Sequence, residues 1–397
     1  MADLKIFTDN IEPEALNQVH TLVKQPAFSD CKVRIMPDVH AGAGCVIGFT
    51  ADLGCKVIPN IVGVDIGCGM RTVKMNEKDV DFERLDDVIR KCIPSGRNTH
   101  EARKTNFAKL PDLYCYRELK DTKRIENSIG TLGGGNHFIE VDTDKLGYKY
   151  LIIHSGSRNL GKQVADYYQN LAVEIMQGKD KLLEMQDKLI TKYKADGRKN
   201  EIQRAVKELH KRFSPNPLNI PKELCYLTGE YREKYLQDMK ICQEYATENR
   251  KTMADIIVDK MGFSIDYQFE TIHNYIEHDT NMVRKGAISA KEDEVLLIPI
   301  NMRDGCIIGY GKGNDDWNQS APHGAGRIMS RSKAKELINL SEYEESMNGI
   351  FTTSVSRCTI DEAPMAYKPL EEIVNNIKDT VEIVDILKPV YNFKAGE

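Results

Sequence analysis

Gly133-Gly134-Gly135-Asn136-His137-Phe138-Ile139-Glu140-Val141 is a glycine loop that opens directly onto a short β-patterned segment. Glycine reaches positive φ and lets the backbone approach a neighbour closely. Three in a row before Phe138–Val141 therefore mark a tight loop at the end of a strand. The same arrangement recurs on either side. Lys32–Met36, Cys45–Thr50, Arg71–Met75, Tyr150–His154 and Val295–Ile300 also read as short strands, separated by glycine-rich loops rather than by regular helices. That punctuation predicts an α+β fold with a mixed β-sheet core, over a doubly wound sheet in which helices alternate with strands.

The glycines also locate an insertion. Fourteen of the 28 lie in residues 1–160, four in 161–260 and ten in 261–397. In the middle segment Val164, Tyr168, Leu171, Ile175, Gly178, Leu182, Met185 and Leu189 follow alternating steps of four and three, the spacing of one helix face. Ser214-Pro215-Asn216-Pro217 and Pro221 interrupt the chain, and Tyr235, Met239, Cys242, Ala246, Met253 and Ile256 form a second stripe. This predicts two long helices folded back as a hairpin over 161–260, inserted in a single domain covering 1–397. The tyrosines and methionines of both stripes read as packing, with a partner-binding coiled coil as the lesser alternative.

The chain has 397 residues, 41% hydrophobic and 29% charged, which is ample for a buried core. Fifty-five Lys and Arg against 60 Asp and Glu leave −5, which excludes a generally basic nucleic-acid binder but not a local basic groove. No apolar run approaches the ~18 residues of a membrane span, and Met1-Ala2-Asp3-Leu4-Lys5 leads into no signal-peptide core. Ten cysteines without an export signal read as reduced thiols, so a cytoplasmic protein with no membrane partner is expected.

Five of the nine histidines sit in or beside glycine-rich or strand-end loops: His40, His137, His154, His273 and His323. His20, His100, His210 and His278 have no such setting. One histidine beside glycines means little, but five point to a shared site for a metal, a proton shuttle or a nucleophile. Val64-Asp65-Ile66-Gly67-Cys68-Gly69 adds a carboxylate and a thiol three residues apart. With two or three imidazoles these make a credible transition-metal shell, and ligand softness alone favours zinc. Gly156-Ser157-Arg158-Asn159-Leu160-Gly161-Lys162-Gln163 approaches a Walker A loop, but Gln163 stands where a Mg²⁺-binding hydroxyl is needed. A phosphate near that helix N-terminus, beside Arg158, is the remaining expectation there.

Taken in order, these segments resemble the RtcB-type RNA ligases, GTP-dependent enzymes of RNA splicing, tRNA processing and RNA repair. The matching stretches are Pro37-Asp38-Val39-His40, Val64-Asp65-Ile66-Gly67-Cys68-Gly69, Gly133-Gly134-Gly135-Asn136-His137-Phe138-Ile139-Glu140 and His154-Ser155-Gly156-Ser157-Arg158. His273-Asn274, Arg284-Lys285-Gly286-Ala287 and Ser320-Ala321-Pro322-His323-Gly324-Ala325-Gly326-Arg327 complete the series. The resemblance implies an RtcB-like fold, with glycine-rich active-site loops and the helical hairpin in the family's place.

It also implies a site for two Mn²⁺ ions rather than zinc. Cys68 corresponds to the thiolate bridging both, with His154 and His273 on one ion and Asp65 and His137 on the other. Asn136, Glu140 and Lys394 correspond to nucleotide contacts, Glu140 and Lys394 facing the guanine of GTP. His273, Asn274 and the Gly324-Ala325-Gly326 turn are carried over as further nucleotide contacts. His323 corresponds to the histidine that becomes guanylylated. GMP then passes to an RNA 3′-phosphate, or to a 2′,3′-cyclic phosphate once opened, and a 5′-hydroxyl end seals the strand. Asp38, His40 and Arg158 are candidates for the RNA-end side or for support of the site.

Three departures stand out. His40-Ala41-Gly42-Ala43-Gly44 lacks the two aromatic rings of the family's His-Trp-Gly-Tyr-Gly. Pro299-Ile300-Asn301-Met302, followed by Arg303-Asp304-Gly305-Cys306, replaces Pro-Gly-Ser-Met, putting an amide at Asn301 and a thiol at Cys306 where hydroxyls contact the nucleotide. The chain is also shorter than the splicing enzymes. Together these point to a bacterial repair-type branch. Against the ligase stand a metal-dependent RNA 3′-end phosphoesterase and a non-catalytic RNA-binding relative. Only the ligase needs both a nucleophilic histidine and a guanine pocket. A monomer is the default, with an activating partner protein left open.

Overall fold

The computed structural model describes residues 2–395. The fold is α+β. Its larger sheet runs, in spatial order, Val295–Asn301, Gly305–Gly311, Val381–Lys394, Phe138–Thr143, Lys149–Ser155, Gly69–Met75 and Ile265–Ile272. All these neighbours are antiparallel, and Phe351–Thr352 lies parallel alongside Val381–Lys394. A second sheet, Asp3–Ile6, Lys32–His40, Ile47–Asp52, Met282–Lys285 and Asn274–Ile276, is antiparallel except for its first pair.

The central strands of the larger sheet are covered on both faces; Tyr150–Ile153 accordingly reads as an unbroken apolar run, whereas Phe138–Thr143 alternates because one of its faces carries Glu140 and Asp142. One face carries Val73, Ile139, Val141, Leu151 and Ile153, packed under Leu85, Ile89, Met253 and Ile257 from two helices. The other face carries Met70, Phe138, Tyr150 and Ile152 against Leu297, Cys306, Ile308 and Leu387. Glu140, Asp142 and His154 share that second face by the two-residue period of a strand.

Residues 158–261 hold four principal helices where the two stripes predict two: α1 (Arg158–Met176), α2 (Lys179–Ala195), α3 (Ile202–Arg212) and α4 (Gly229–Met261). The first stripe runs through Gly178, but this residue takes φ 94° and separates α1 from α2. An Asn216 N–H···O=C Gln177 bond of 2.9 Å closes the base of the α2–α3 arm. Heptad spacing survives across such a break because it records only which residues are apolar. α1 and α4 bury Val164, Tyr168, Tyr235, Met239 and Cys242 in the largest core. In α2 only Leu182 is buried, and in α3 no residue is. Among the described residues no helix is long and apolar enough to cross a membrane.

Candidate active site

Strand ends of the larger sheet converge at one place. Gly69 is paired with both Ser155 and Ile272, and Phe138 with His154. The turn holding Asp65 and Cys68 is thereby brought beside His137, His154 and His273. Gly67 N–H donates to Asn274 O at 2.7 Å and His273 N–H to Cys68 O at 3.0 Å. α4 braces the assembly from below. Its buried Arg250 donates through Nη1 to Gly67 O and Ser155 O, both at 2.8 Å, and pairs with Glu270. Asn249 accepts from Gly130 N–H and Thr131 N–H and donates to Gly156 O.

Cys68 Sγ lies 3.5 Å from His137 Nε2 and 3.3 Å from His154 Nε2. His154 Nε2 is 3.4 Å from His273 Nε2, and His137 Nε2 is 3.1 Å from Asp65 Oδ2. Two triads, Cys68/His154/His273 and Asp65/Cys68/His137, therefore share the thiol, each with its donor atoms within 4.8 Å of one another. His154 Nδ1 faces the Asn136 carbonyl at 3.1 Å and must donate to it, so Nε2 presents a lone pair to the cluster.

Burial, then neighbouring imidazoles, holds His154 and His273 well below the ordinary histidine range. Burial, then the Asp65 charge, pushes the Cys68 thiol up. Burial also opposes the Asp65 charge, but His137 and Arg158 outweigh it and hold that carboxyl below its usual range. Neutral imidazoles, a carboxylate and one shared thiol fit a pair of cations, whose charge would favour the thiolate.

The same carboxylate corrects the expectation of a phosphate at the start of α1. Asp65 Oδ1 accepts from Ser157 N–H at 3.0 Å and so occupies that helix end. A Cβ on Gly156 would stand 2.2 Å from Asp65 Oδ1, so glycine is required there. Arg158 turns to Gly96 O at 2.8 Å and Thr131 Oγ1 at 3.0 Å.

His323 follows the short strand Ser320–Pro322. Its Nδ1 lies 2.6 Å from Asp38 Oδ2, and its backbone N–H donates to the same oxygen at 3.0 Å. Asp38 is fully buried. The His323 ring sits 4.8 Å from that of His273. Both His154 and His323 border a cleft with an empty volume of about 850 Å³, whose walls include His40, Asn136, Glu140, Asn301, Gly324, Ala325, Gly326 and Lys394.

The chain matches the family described as "tRNA-splicing ligase RtcB" over residues 18–118 and 115–395. The chain belongs to the RtcB family. The RNA-splicing ligase RtcB of Escherichia coli (strain K12) is 28% identical over 442 aligned positions, covering 99% of this chain and 98% of that protein. The tRNA-splicing ligase RtcB of Archaeoglobus fulgidus is 24% identical over 92% of this chain and 87% of its own length. For the RNA-splicing ligase RtcB homolog 2 of Entamoeba dispar the figures are 24%, 90% and 78%.

Three of the expected contacts have their side chains engaged within the protein. Asn274 lies off the cleft wall, its amide engaged by Asp65 O and Gly286 N–H. Asn301 borders the cleft, but its side chain ties the 301–304 turn through Asp304 and Arg303 N–H. Cys306 is buried behind Glu140, with Sγ 3.7 Å from Oε1, and is not on the wall. Glu362, on the wall and without a sequence signal, is bonded to Lys394 at 2.6 Å, Arg327 at 3.2 Å and Tyr367 at 2.7 Å. Nothing in Ile360-Asp361-Glu362-Ala363 marks it, because its partners come from distant segments.

Proposed function

We propose that this chain is an RNA ligase that joins RNA 3′-phosphate or 2′,3′-cyclic phosphate ends to 5′-hydroxyl ends, using GTP and Mn²⁺ through a histidine–GMP adduct on His323. Membership of a family described as tRNA-splicing ligase supports ligase chemistry on RNA. The observation that carries the route is the Asp38–His323 pair. Asp38 takes Nδ1, and Nε2 forms no hydrogen bond among the described residues.

With Nδ1–H held by a buried carboxylate, Nε2 is the nucleophilic nitrogen, and positive charge growing on the ring is offset by Asp38. Nε2 attacks the α-phosphorus of GTP; the N–P bond forms as the P–O bond to pyrophosphate breaks. An oxygen of the RNA 3′-phosphate then displaces the imidazole, giving RNA-3′-pp-5′-G. The RNA 5′-hydroxyl displaces GMP and forms the phosphodiester. Asp65, Cys68, His137, His154 and His273 would hold two Mn²⁺, which supply Lewis acidity and neutralise phosphate charge when bound. Glu140 would accept guanine N1–H and N2–H₂, with Asn136 and Lys394 beside it, while Gly324-Ala325-Gly326 leaves room for the phosphates.

A phosphoesterase would use the same cation shell but has no need of the Asp38–His323 pair. Incubation with GTP labelled at the α-phosphate plus Mn²⁺, followed by a denaturing gel, tests the choice. Label is expected on the wild type and absent from His323→Ala. An unlabelled wild type that still strips 3′-phosphates would decide for the phosphoesterase.

A further inference from the structure

Glu140 has a second acid beneath it. Asp142 shares its face of the Phe138–Thr143 strand, and Cys306 approaches from Gly305–Gly311. All three are buried, Asp142 and Cys306 completely. An oxygen of each acid and the Cys306 Sγ lie within 4.8 Å of one another. Cys306 belongs to the apolar cluster of Met70, Ile152, Leu297, Ile308 and Leu387, so this is a dry environment.

The two acids are provided for unequally. Glu140 Oε2 accepts from Asn392 Nδ2 at 2.5 Å, and Oε1 accepts from the Cys306 thiol at 3.7 Å. Neither oxygen of Asp142 receives a hydrogen bond among the described residues. Tyr150, paired with Asp142 on the adjacent strand, turns its hydroxyl to Asp144 at 3.4 Å. Lys394, whose charge reaches Glu140 from Val381–Lys394, is itself bonded to Glu362 at 2.6 Å.

Two carboxylates this close and buried each disfavour the ionisation of the other. A buried acid with both oxygens unbonded would otherwise be a defect. A single proton resolves both difficulties if it sits on Asp142, because Glu140 already has donors that favour its charge.

We propose that Asp142 and Glu140 share one proton at neutral pH, carried by Asp142, and that Asp142 is thereby the hydrogen-bond donor that positions Glu140 for a guanine edge. The positioning half rests on the guanine-binding reading of Glu140. Burial pushes both carboxyls up, and the neighbouring Glu140 charge pushes Asp142 further. A neutral Asp142 leaves Glu140 an acceptor only. That matches the N1–H and amino donors of guanine and opposes the N1 lone pair of adenine.

Infrared spectroscopy on protein carrying isotope-labelled aspartate, at neutral pH in buffer free of divalent cations, tests the proton. The expected result is one protonated aspartic-acid C=O band that shifts with the label and is missing in Asp142→Asn. A wild type without that band overturns the shared proton. Loss of the band on adding Mn²⁺ or Zn²⁺ overturns it in favour of a cation held by the trio.

Initial rates of histidine labelling test the positioning. Asp142→Asn keeps a donor of the same shape and should stay within about threefold of the wild-type KM for GTP. Asp142→Leu removes it and should raise that KM roughly tenfold, with the maximal rate of adduct formation unchanged and a similar fall in GTP-over-ATP preference. An Asn variant as impaired as the Leu variant, or a Leu variant like the wild type, overturns the positioning role. A wild type that takes no label from GTP would refute the ligase reading and the positioning with it, while the infrared band still decides the proton.

Discussion

Beneath the cleft, Arg250 and Asn249 lie wholly inside the protein, and Arg250 bonds to carbonyls 183 and 95 residues away in the chain. In the α2–α3 arm only Leu182 is buried, and the ion pairs Lys188–Glu184 and Arg204–Glu208 stand in solvent. Both regions are rich in charge, but the charge does different things. A buried guanidinium whose partners are lost leaves groups with no water to replace them. An exposed pair exchanges one solvated state for another and contributes about 1 kcal/mol or less. The floor of the cleft should therefore be intolerant of change and the arm permissive, although their compositions look alike.

The largest effects are expected at the chemical groups above that floor. His323→Ala should form no protein–GMP adduct, yet still seal a synthetic RNA already carrying GMP on its 3′-phosphate. Cys68→Ala should fold and lose both labelling and sealing. An adduct on His323→Ala would place the nucleophile elsewhere. Arg250→Met should then cost about 3–5 kcal/mol in urea unfolding; a loss under about 1 kcal/mol would erase the contrast between floor and arm.

Smaller, and confined to the cleft wall, is base selectivity. A charged hydrogen-bonded contact at Glu140 is worth on the order of 2–3 kcal/mol. GTP should accordingly be preferred over ATP by roughly one to two orders of magnitude in adduct formation, and equal use would remove Glu140 from that role.

Glu362 offers a pH handle on the same wall. Burial would raise its carboxyl, but Lys394, Arg331 and Arg327 outweigh burial and hold it below the usual range. Its stabilisation is therefore full above the ordinary Glu pKa of about 4.3 and is lost as pH falls through the lower folded value. Glu362→Gln should be less stable than the wild type at neutral pH, with the gap closing in acid. A gap independent of pH would count against the ion-pair account.

The smallest effect belongs to the arm. Gln177 and Asn216 are already joined at 2.9 Å, so replacing residues 180–212 by a short glycine-serine linker should change stability by about 1 kcal/mol or less. Labelling by GTP should be unaltered. A collapse of labelling on that excision would show that the arm supports the cleft after all.

Much of this was readable before any coordinates. The triple glycine before Phe138 is a local statement about backbone freedom, and the stripes through Tyr168 and Tyr235 are a local statement about which face is apolar. Both translate directly into a strand end and into helices α1 and α4. The ordered motifs around Asp65, His137, His154, His273 and His323 name a family for the same reason: each is a short run whose chemistry is contained in its own residues. Gly178 shows the limit of such reading, since its apolar spacing continues across a joint that only its φ of 94° reveals.

Partnership across the fold is another matter. Asp38 lies 285 residues from His323 and selects which ring nitrogen is free. Cys306 reaches Glu140 across 166 residues and ends beneath it rather than on the cleft wall. Glu362 meets Lys394 only where Val381–Lys394 comes alongside Phe138–Thr143. Chain-local rules set φ, ψ and periodicity, whereas strand register sets which side chains meet. Glu140 and Asp142 share a face by the two-residue period of their own strand, but only the packing of neighbouring strands brings Asn392 and Cys306 against them and buries the pair.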